Sequence, residues 1–368
     1  MNKISTHVGL DVHKNSTAIA VASPGQATRF AGTVGSELHE LIKALDHVGP
    51  AASLKVVYEA GPSGYSLVRA LRDRGYACDV IAPSKIARRP GDRVKTDRRD
   101  AQHLAEQSLA GALVPVYVPS EADEALRDLC RAREDAVRAR LKARQRLQAM
   151  LLRHGLAYRG KTAWTAAHER YLAQITFPFP AQELAYVEYR QGVSESHSRV
   201  ERLTASMGEQ LAHWRMRPVV EALMTLRGIN LVAAMTLVAE LGDLRRFAHP
   251  RELMSFLGLV PSEHTSGDHR RQGAITRTGN GHARRMLVEA AWNYRYPARI
   301  SRALQLRQEG QPREVQDLAW QAQRRLCSRY RALKARRLHQ NKVCVAIARE
   351  LAGFIWAIAR CVGPQSVR

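Results

Sequence analysis

Four carboxylates stand at positions where a folded chain could bring them together. Asp11 lies within a strand-like segment, and Glu59 ends another such segment immediately before Ala60-Gly61-Pro62. Asp97 and Asp100 are three residues apart, so on a helix both would project from one face. Acids gathered in so basic a chain require a cation, and Mg²⁺ suits carboxylate and phosphate oxygens. We therefore expect two Mg²⁺ ions here, with Mn²⁺ as an alternative, to assist phosphoryl displacement.

Each carboxylate also has a purely structural interpretation. Asp11 could form a turn, and Glu59 could cap a helix. The helical pair at 97 and 100 could form ion pairs with Arg93 or Arg98. For each acid taken alone, the structural role explains the residue as well as a catalytic role does. The metal-site prediction therefore depends on the joint placement of the four acids.

The elements around the acids alternate between strand and helix. Apolar Val8, Leu10 and Val12 alternate with Gly9, Asp11 and His13, which is the period of a strand. The same patterns predict strands at 17–22, 27–32, 54–58 and 77–82 and helices at 36–47 and 64–74. Strand–helix alternation builds parallel strands covered by helices. We expect a mixed α/β domain over residues 1–120, with a strand order similar to that of ribonuclease H.

A serine stands in a loop rich in glycine and arginine between residues 258 and 285. Ser266 is followed there by Arg270, Arg271, Arg277, Arg284 and Arg285. Glycine and guanidinium groups allow close approach to a phosphate, and an activated serine hydroxyl can attack phosphorus. Ser266 could equally be a turn residue in a loop that only binds DNA. Ser262 and Thr265 remain alternative nucleophiles on chemical grounds.

Beyond residue 120 the sequence predicts mainly helix. Residues 121–154 and 180–214 predict two long helices that pair antiparallel, as a coiled-coil hairpin within a basic region 121–215, with 159–178 as an irregular connection. Residues 216–368 predict a helical C-terminal domain with a basic tail. Residues 226–241 are similar to a helix-hairpin-helix, in which Asn230 would replace a glycine in a left-handed turn conformation.

The charge predicts a polyanionic partner. The chain has 57 Lys and Arg against 34 Asp and Glu, a formal net charge of +23, and unmixed basic runs favour contact with phosphates. Aromatic residues are too few, at 6%, to make base stacking the main mode. The residues expected to contact nucleic acid are Lys95, Arg98, Arg99, Arg140, Arg144, Arg270, Arg271, Arg277, Arg284, Arg285, Arg324 and Arg325.

Cysteine usage and hydropathy indicate the compartment. Five cysteines without a Cys-x-x-Cys pair argue against disulfides and zinc. No apolar run is long enough to span a membrane, and the first residues lack the apolar core of a signal peptide. We expect a cytoplasmic protein that does not bind membranes.

Taken together, these motifs resemble one family: the insertion-sequence transposases known as bridge-RNA-guided recombinases, of the insertion-sequence 110 family, 1111 subgroup. These have a RuvC-like Asp-Glu-Asp-Asp domain followed by a serine-bearing transposase domain. The resemblance covers nearly the whole chain and is weakest over residues 297–340. The motifs that carry it are Gly9-Leu10-Asp11-Val12-His13-Lys14, Tyr58-Glu59-Ala60-Gly61-Pro62-Ser63-Gly64, Lys95-Thr96-Asp97-Arg98-Arg99-Asp100-Ala101, Phe256-Leu257-Gly258-Leu259-Val260-Pro261, Ser266-Gly267 and Ile275-Thr276-Arg277-Thr278-Gly279-Asn280.

The resemblance implies a mechanism and an assembly. Asp11, Glu59, Asp97 and Asp100 would bind Mg²⁺, and Ser266 would be the nucleophile that is transiently joined to DNA. Acids of one protomer would meet the serine of another in a tetramer, a dimer of dimers around a structured guide RNA with double-stranded donor and target DNA. A bacterial protein associated with the nucleoid is implied as well.

Two other functions are compatible with the same residues. A metal-dependent junction nuclease would use water as nucleophile and the C-terminal domain only to hold DNA. A non-catalytic nucleic-acid scaffold would bind without Mg²⁺ and with a steep salt dependence. Only the recombinase requires a covalent adduct between the protein and DNA.

Overall fold

The chain forms two compact units, Met1–Val118 and Pro119–Arg368. The computed structural model describes residues 4–83, 86–87, 96–264, 266, 269 and 271–364. The two long helices predicted as a separate middle region lie within the second unit. The division into three domains therefore stays a prediction.

The first unit is built on a five-stranded mixed sheet with strand order β3-β2-β1-β4-β5. The strands are β1 (Thr6–Val12), β2 (Ser16–Ala22), β3 (Arg29–Gly35), β4 (Leu54–Glu59) and β5 (Ala77–Ile81). Strands β1, β2 and β3 pair antiparallel, and β4 and β5 continue the sheet in parallel to β1. The predicted mixed α/β architecture is confirmed. The third strand begins later than the predicted residue 27, where residues 27–28 still belong to the connection from β2.

Three helices cover the two faces of this sheet. Helices α1 (Leu38–Val48) and α2 (Ser66–Asp73) pack on the face formed by Val8, Leu10 and Val56. Helix α3 (Asp97–Leu109) packs on the opposite face, where β2 presents the alanines at 18, 20 and 22. These small side chains allow α3 to approach the sheet closely, which places the start of α3 near the end of β1.

An antiparallel pair of long helices opens the second unit. Helix α4 (Glu121–Arg153) and helix α6 (Pro180–Leu211) run in opposite directions: the Arg133 guanidinium donates to Thr204 at 3.0 Å, while Arg140 lies 3.3 Å from His197. Both helices therefore occupy nearly the predicted ranges and pair antiparallel, as expected. The predicted irregular connection is wrong in part, because α5 (Ala166–Ala173) forms there. Its first turn is capped by the Thr165 hydroxyl, and its apolar side buries Leu172.

The remaining helices surround an apolar core whose centre is the last helix. They are α7 (Arg217–Leu223), α8 (Leu231–Leu241), α9 (Pro250–Phe256), α10 (Gly281–Ala291), α11 (Arg302–Gln308), α12 (Arg313–Ala335) and α13 (Gln340–Cys361). Ile347, Leu351 and Ile355 of α13 are fully buried within this core. All five cysteines are free thiols, and only Cys361 is exposed. Within the described residues, none of the helices is both long and apolar enough to cross a membrane.

Helices α7 and α8 form the predicted helical hairpin, but its turn differs from the expected one. Gly228 has a φ of 82°, and a Cβ at this position would lie 2.7 Å from the Ala290 carbonyl oxygen. Asn230 is extended, with a φ of −103°, and its side chain accepts a hydrogen bond from the Ala233 amide. The left-handed Asn230 expected from the sequence is therefore wrong. This residue caps α8, which is the usual role of asparagine before a helix.

Candidate active site

Two of the predicted acids lie at the same end of neighbouring parallel strands. Leu10 of β1 is paired with Tyr58 of β4, so Asp11 and Glu59 occupy the next positions along the two strands. Both acids line a cavity of about 1080 Å³ together with His13 and Lys14. Two neighbouring parallel strands therefore present both acids at one edge of the sheet.

Helix α3 brings a third carboxylate to Asp11. A Cβ at Gly9 would lie 2.2 Å from the Ala101 carbonyl oxygen, so only glycine lets α3 pass β1 this closely. Ala101 is about one helical turn after Asp97, and that turn places Asp97 beside Asp11. The Thr96 hydroxyl accepts a hydrogen bond from the Arg99 amide and caps the helix at this end. This role of Gly9 was not predicted from the sequence.

A histidine completes the group. Nε2 of His13 lies 3.2 Å from Oδ2 of Asp11 and 3.4 Å from Oδ1 of Asp97. The potential ligand atoms of these three residues all lie within 4.8 Å of one another. The alternation of β1 predicts His13 on the same face of the strand as Asp11, but His13 was not among the predicted site residues. Its spacing of two residues from Asp11 is the sequence signal that could have identified it.

In the group of Asp11, His13 and Asp97, two carboxylates lie close together with one imidazole beside them. Burial raises the pKa of Asp11, and the nearby carboxylates of Asp97 and Asp100 raise it further, whereas His13 opposes the shift. The Asp11 side chain is only 17% exposed, and that of Asp97 is 61% exposed. Closely spaced carboxylate oxygens with one imidazole form a donor set that suits a small divalent cation. Such a cation would stabilise the ionised form of Asp11 against both burial and the repulsion between the carboxylates.

The structure thus brings some of the four predicted acids together more closely than others. Asp11 and Asp97 share one group of potential ligands, and Asp100 is near enough to affect the pKa of Asp11. Glu59 lines the same cavity but lies outside the group of three.

The predicted nucleophile lies in a β-hairpin of the second unit. Strands β6 (Pro261–Glu263) and β7 (Gln272–Ile275) pair antiparallel, and the His264 amide donates to the Arg271 carbonyl at 2.9 Å. Ser266 is exposed beyond this pair, where its carbonyl accepts from the His269 amide at 3.3 Å. The Ser262 hydroxyl instead faces Gly273, where an added Cβ would lie 2.4 Å from it. Thr265 lies outside the described residues.

The base of this hairpin is firmly attached to the helical core. Gly279 has a φ of 69°, and a Cβ there would lie 1.8 Å from the Phe256 carbonyl oxygen. The Arg284 guanidinium donates to the carbonyls of Leu257 and Thr278 at 2.9 and 2.8 Å. The exposed serine is therefore carried on a fixed support.

Asn280 connects the hairpin to α4 and α8. Its amide donates to the Glu240 carboxylate at 2.7 Å, and the same carboxylate accepts two hydrogen bonds from Arg131 of α4. These bonds lower the pKa of Glu240 although burial opposes the shift. Glu134 of α4 is likewise bonded to His282 and Arg285 of α10.

The residues predicted to contact nucleic acid occupy different environments. Arg284 and Arg285 are engaged within the fold as described, and Arg144 stacks on Trp164 with its guanidinium carbon 4.6 Å from the ring centre. Arg140 is half-buried near His197. The predicted residues that are exposed are Arg98, Arg99, Arg271, Arg277, Arg285, Arg324 and Arg325. Lys95 and Arg270 lie outside the described residues.

Comparison with known proteins gives matches over both units. A transposase model for the DEDD domain of IS110 elements matches residues 8–155, and the model "Transposase IS116/IS110/IS902 family" matches residues 220–304. The chain is 44% identical over 356 residues to the y4qE protein of Sinorhizobium fredii, which is named as a transposase, covering 96% of this chain and 88% of that protein.

More distant relatives extend the pattern. The transposase for insertion sequence element IS1533 of Leptospira borgpetersenii is 29% identical, over 91% of this chain and 98% of that protein. The transposase for insertion sequence element IS1111A of Coxiella burnetii is 25% identical, over 86% of this chain and 81% of that protein. The DEDD domain implies a ribonuclease-H-like fold and use of a divalent metal, and the family acts in DNA transposition. The chain belongs to the IS116/IS110/IS902 family of transposases.

Proposed function

We propose that this transposase cuts and rejoins DNA through Ser266, assisted by the carboxylates of its first unit and directed by a guide RNA. The observation that carries the proposal is the group of Asp11, His13 and Asp97, whose ligand atoms lie within 4.8 Å of one another at the edge of the sheet. The exposure of Ser266 on a hairpin with a fixed base supports its role as nucleophile.

The donor set fits a divalent metal. Asp11 and Asp97 would hold the ion, with Glu59 and Asp100 as further carboxylates within reach of the same cavity edge. Magnesium would supply charge neutralisation for the attacking and leaving oxygens of the phosphate. We assign Mg²⁺ to this site, two ions per set of four acids, because carboxylate oxygens dominate it.

The proposed chemistry is a transesterification that conserves bond energy. The Ser266 Oγ loses its proton and forms a bond to phosphorus, while the bond from phosphorus to a deoxyribose oxygen breaks and that oxygen leaves as a hydroxyl. A hydroxyl end of the partner DNA then attacks the phosphoserine and releases the serine. One phosphodiester is lost and one is formed, so no nucleoside triphosphate is needed. Residues 155–162 match the Gly-x-x-x-x-Gly-Lys-Thr pattern of a nucleotide-binding loop, but they follow helix α4 and not a strand, which is the context that such a loop requires.

Guidance by RNA is consistent with the surface chemistry of the chain. A net charge of +23 and many exposed arginines favour contact with phosphate backbones. In guided enzymes, base pairing reads the sequence while the protein reads mainly backbone and shape. We propose a tetramer in which the acids of one protomer act with the serine of another, on double-stranded donor and target DNA.

A junction nuclease is the second candidate function. The carboxylate group belongs entirely to the first unit, so water could in principle replace the serine there. The two mechanisms differ in one product, since only serine attack leaves protein covalently bound to DNA.

Covalent capture separates these functions. We would incubate the protein with guide RNA and DNA carrying the ends of its element in Mn²⁺, then look for adducts that survive detergent. The wild type and Ser262→Ala should form the adduct, and Ser266→Ala should form none. Cleavage by Ser266→Ala at the wild-type rate without an adduct would establish the nuclease. Mg²⁺-independent binding without cleavage, unaffected by Asp11→Ala, would establish the scaffold.

A further inference from the structure

We propose that a groove between α12 and α13 binds an unpaired nucleic-acid strand, with phosphates on its arginines and a base against Trp320. The groove has a volume of about 1190 Å³, and its lining residues other than Glu350 and Phe354 lie within 297–340, where the family resemblance is weakest. It contains none of the residues assigned to cleavage. The proposal rests on the proposed function only in that the guide RNA or the DNA of transposition would supply the strand. Binding in the groove requires no cleavage and can be measured separately.

The walls of the groove carry an excess of positive charge. Arg324, Arg325, Arg329 and Arg331 line it, and Glu350 is the one carboxylate among its described lining residues. Glu350 is 16% exposed, accepts a hydrogen bond from Nε of Arg325 at 2.9 Å, and forms an ion pair with Nε of Arg329 at 3.2 Å. This shared contact holds two guanidinium groups side by side at the rim. Planar guanidinium groups held in this way suit the oxygens of a phosphodiester.

The floor of the groove is aromatic and apolar. Trp320 and Phe354 line it and are both half-buried. The buried Gln323 of α12 accepts a hydrogen bond from the Arg299 amide at 2.7 Å, which fixes the segment that contributes Ala298 to the groove. Stacking on an aromatic ring accepts any base, because every base has a π face.

The geometry favours a single strand over a duplex. Trp320, Arg324, Ser328 and Arg331 recur at intervals of four, four and three residues, so they form one row along α12. That row is about 16 Å long at the rise of an α-helix. Phe354 and Glu350 of α13 form the other side. A concave surface with an aromatic floor receives an exposed base, whereas a duplex is read by convex elements that enter its grooves.

Binding and crosslinking test the proposal. The full-length protein, in EDTA, would be titrated against a fluorescent 12-nucleotide RNA, the DNA strand of the same sequence, and the corresponding duplex. Arg324→Ala/Arg331→Ala should weaken single-strand binding at least tenfold and reduce the slope of log affinity against log salt by about 1.4, at about 0.7 per lost phosphate contact. Trp320→Leu should weaken binding about tenfold without changing that slope, as expected for lost stacking.

The matched control is Arg313→Ala, an α12 arginine that is 89% exposed and does not line the groove. It should bind as the wild type does. An oligonucleotide containing 5-iodouridine should crosslink the wild-type protein within residues 320–331. This measurement uses no variant, so it tests the proposal even if a substituted protein folds poorly. Preference for the RNA or the DNA strand identifies the source. Crosslinks confined to other segments, or equal loss in the groove variants and the control, would overturn the proposal, as would binding of the duplex alone.

Discussion

Replacing Asp11 with asparagine should stabilise the metal-free protein while abolishing transposition. The substitution keeps the size of the side chain and removes a charge that burial and neighbouring carboxylates disfavour. Two unit charges 4.8 Å apart, the upper limit of separation in the group, repel by about 3.5 kcal/mol at a dielectric constant of about 20 and by about 0.9 kcal/mol in water. Because Asp97 is 61% exposed, the lower figure applies to this repulsion. Relief of burial adds to the gain and loss of the contact with His13 subtracts from it, so we expect a net gain of about 1 kcal/mol.

The pH dependence has a definite sign. The pKa of Asp11 is raised in the folded protein from its ordinary value of 3.8, so its ionisation destabilises the fold as pH rises through the raised value. Below about pH 3.8, Asp11 is protonated in both the folded and unfolded chains, and the advantage of Asp11→Asn should vanish. Above the raised pKa the full difference should be present.

Thermal unfolding in EDTA and in Mg²⁺ is the assay. In EDTA at neutral pH, Asp11→Asn should raise the Tm of the transition that includes the first unit by on the order of 4 °C. The control Glu37→Gln, an exposed carboxylate outside the cavity lining, should not raise it. Saturating Mg²⁺ should stabilise the wild type more than the variant, because a ligand stabilises the state that binds it. A lower Tm for Asp11→Asn in EDTA, or an equal gain with Mg²⁺, would refute the electrostatic argument.

Three other substitutions test the contacts that hold the carboxylate group and the Ser266 hairpin in place. Gly9→Ala should separate α3 from β1, lower stability by about 1–3 kcal/mol as overpacking does, and abolish cleavage in a plasmid assay. Gly279→Ala should abolish adduct formation, since its Cβ would lie 1.8 Å from the Phe256 carbonyl oxygen. Asn280→Ala should lower the free energy of unfolding in urea by about 2–4 kcal/mol, because it removes both a helix cap and a bond to buried Glu240.

Matched glycines serve as controls for the first two. Gly192 lies in α6, and a Cβ added there would have no neighbouring atom within 4 Å, so Gly192→Ala should leave stability unchanged or raise it. Gly310 has a positive φ, as Gly279 does, but open space around it. Gly310→Ala should therefore lower stability by only about 1 kcal/mol and leave adduct formation intact. Equal effects within either pair would mean that close backbone contact is not what these positions require. For Asn280→Ala, a loss below about 1 kcal/mol would contradict the role of the Glu240 contact.

Much of the first unit could be predicted because its signals are local. Alternation over residues 7–13 predicted β1, and the strand–helix order predicted the sheet on which Asp11 and Glu59 share an edge. The long helices α4 and α6 were equally predictable from their uninterrupted patterns. The antiparallel pairing of these helices follows from burial of their apolar positions.

The remaining features depend on contacts between distant segments. Gly9 matters because α3 crosses β1 there, and His13 matters because Asp97 arrives beside it; neither contact is encoded in nearby sequence. Asn230 was misread because asparagine is favoured both in left-handed turns and as a helix cap. Arg284 was predicted to contact nucleic acid, and it donates to two backbone carbonyls at the base of the hairpin.

We propose that Ser266 and the carboxylates of the first unit act in one reaction. Mass spectrometry of the trapped protein–DNA adduct, after digestion with nuclease and protease, would test this. A nucleotide remnant should be found on the peptide containing Ser266 in the wild type, and no remnant should be found for Asp11→Asn. A remnant on another residue, or an undiminished remnant on Ser266 in Asp11→Asn, would contradict the account.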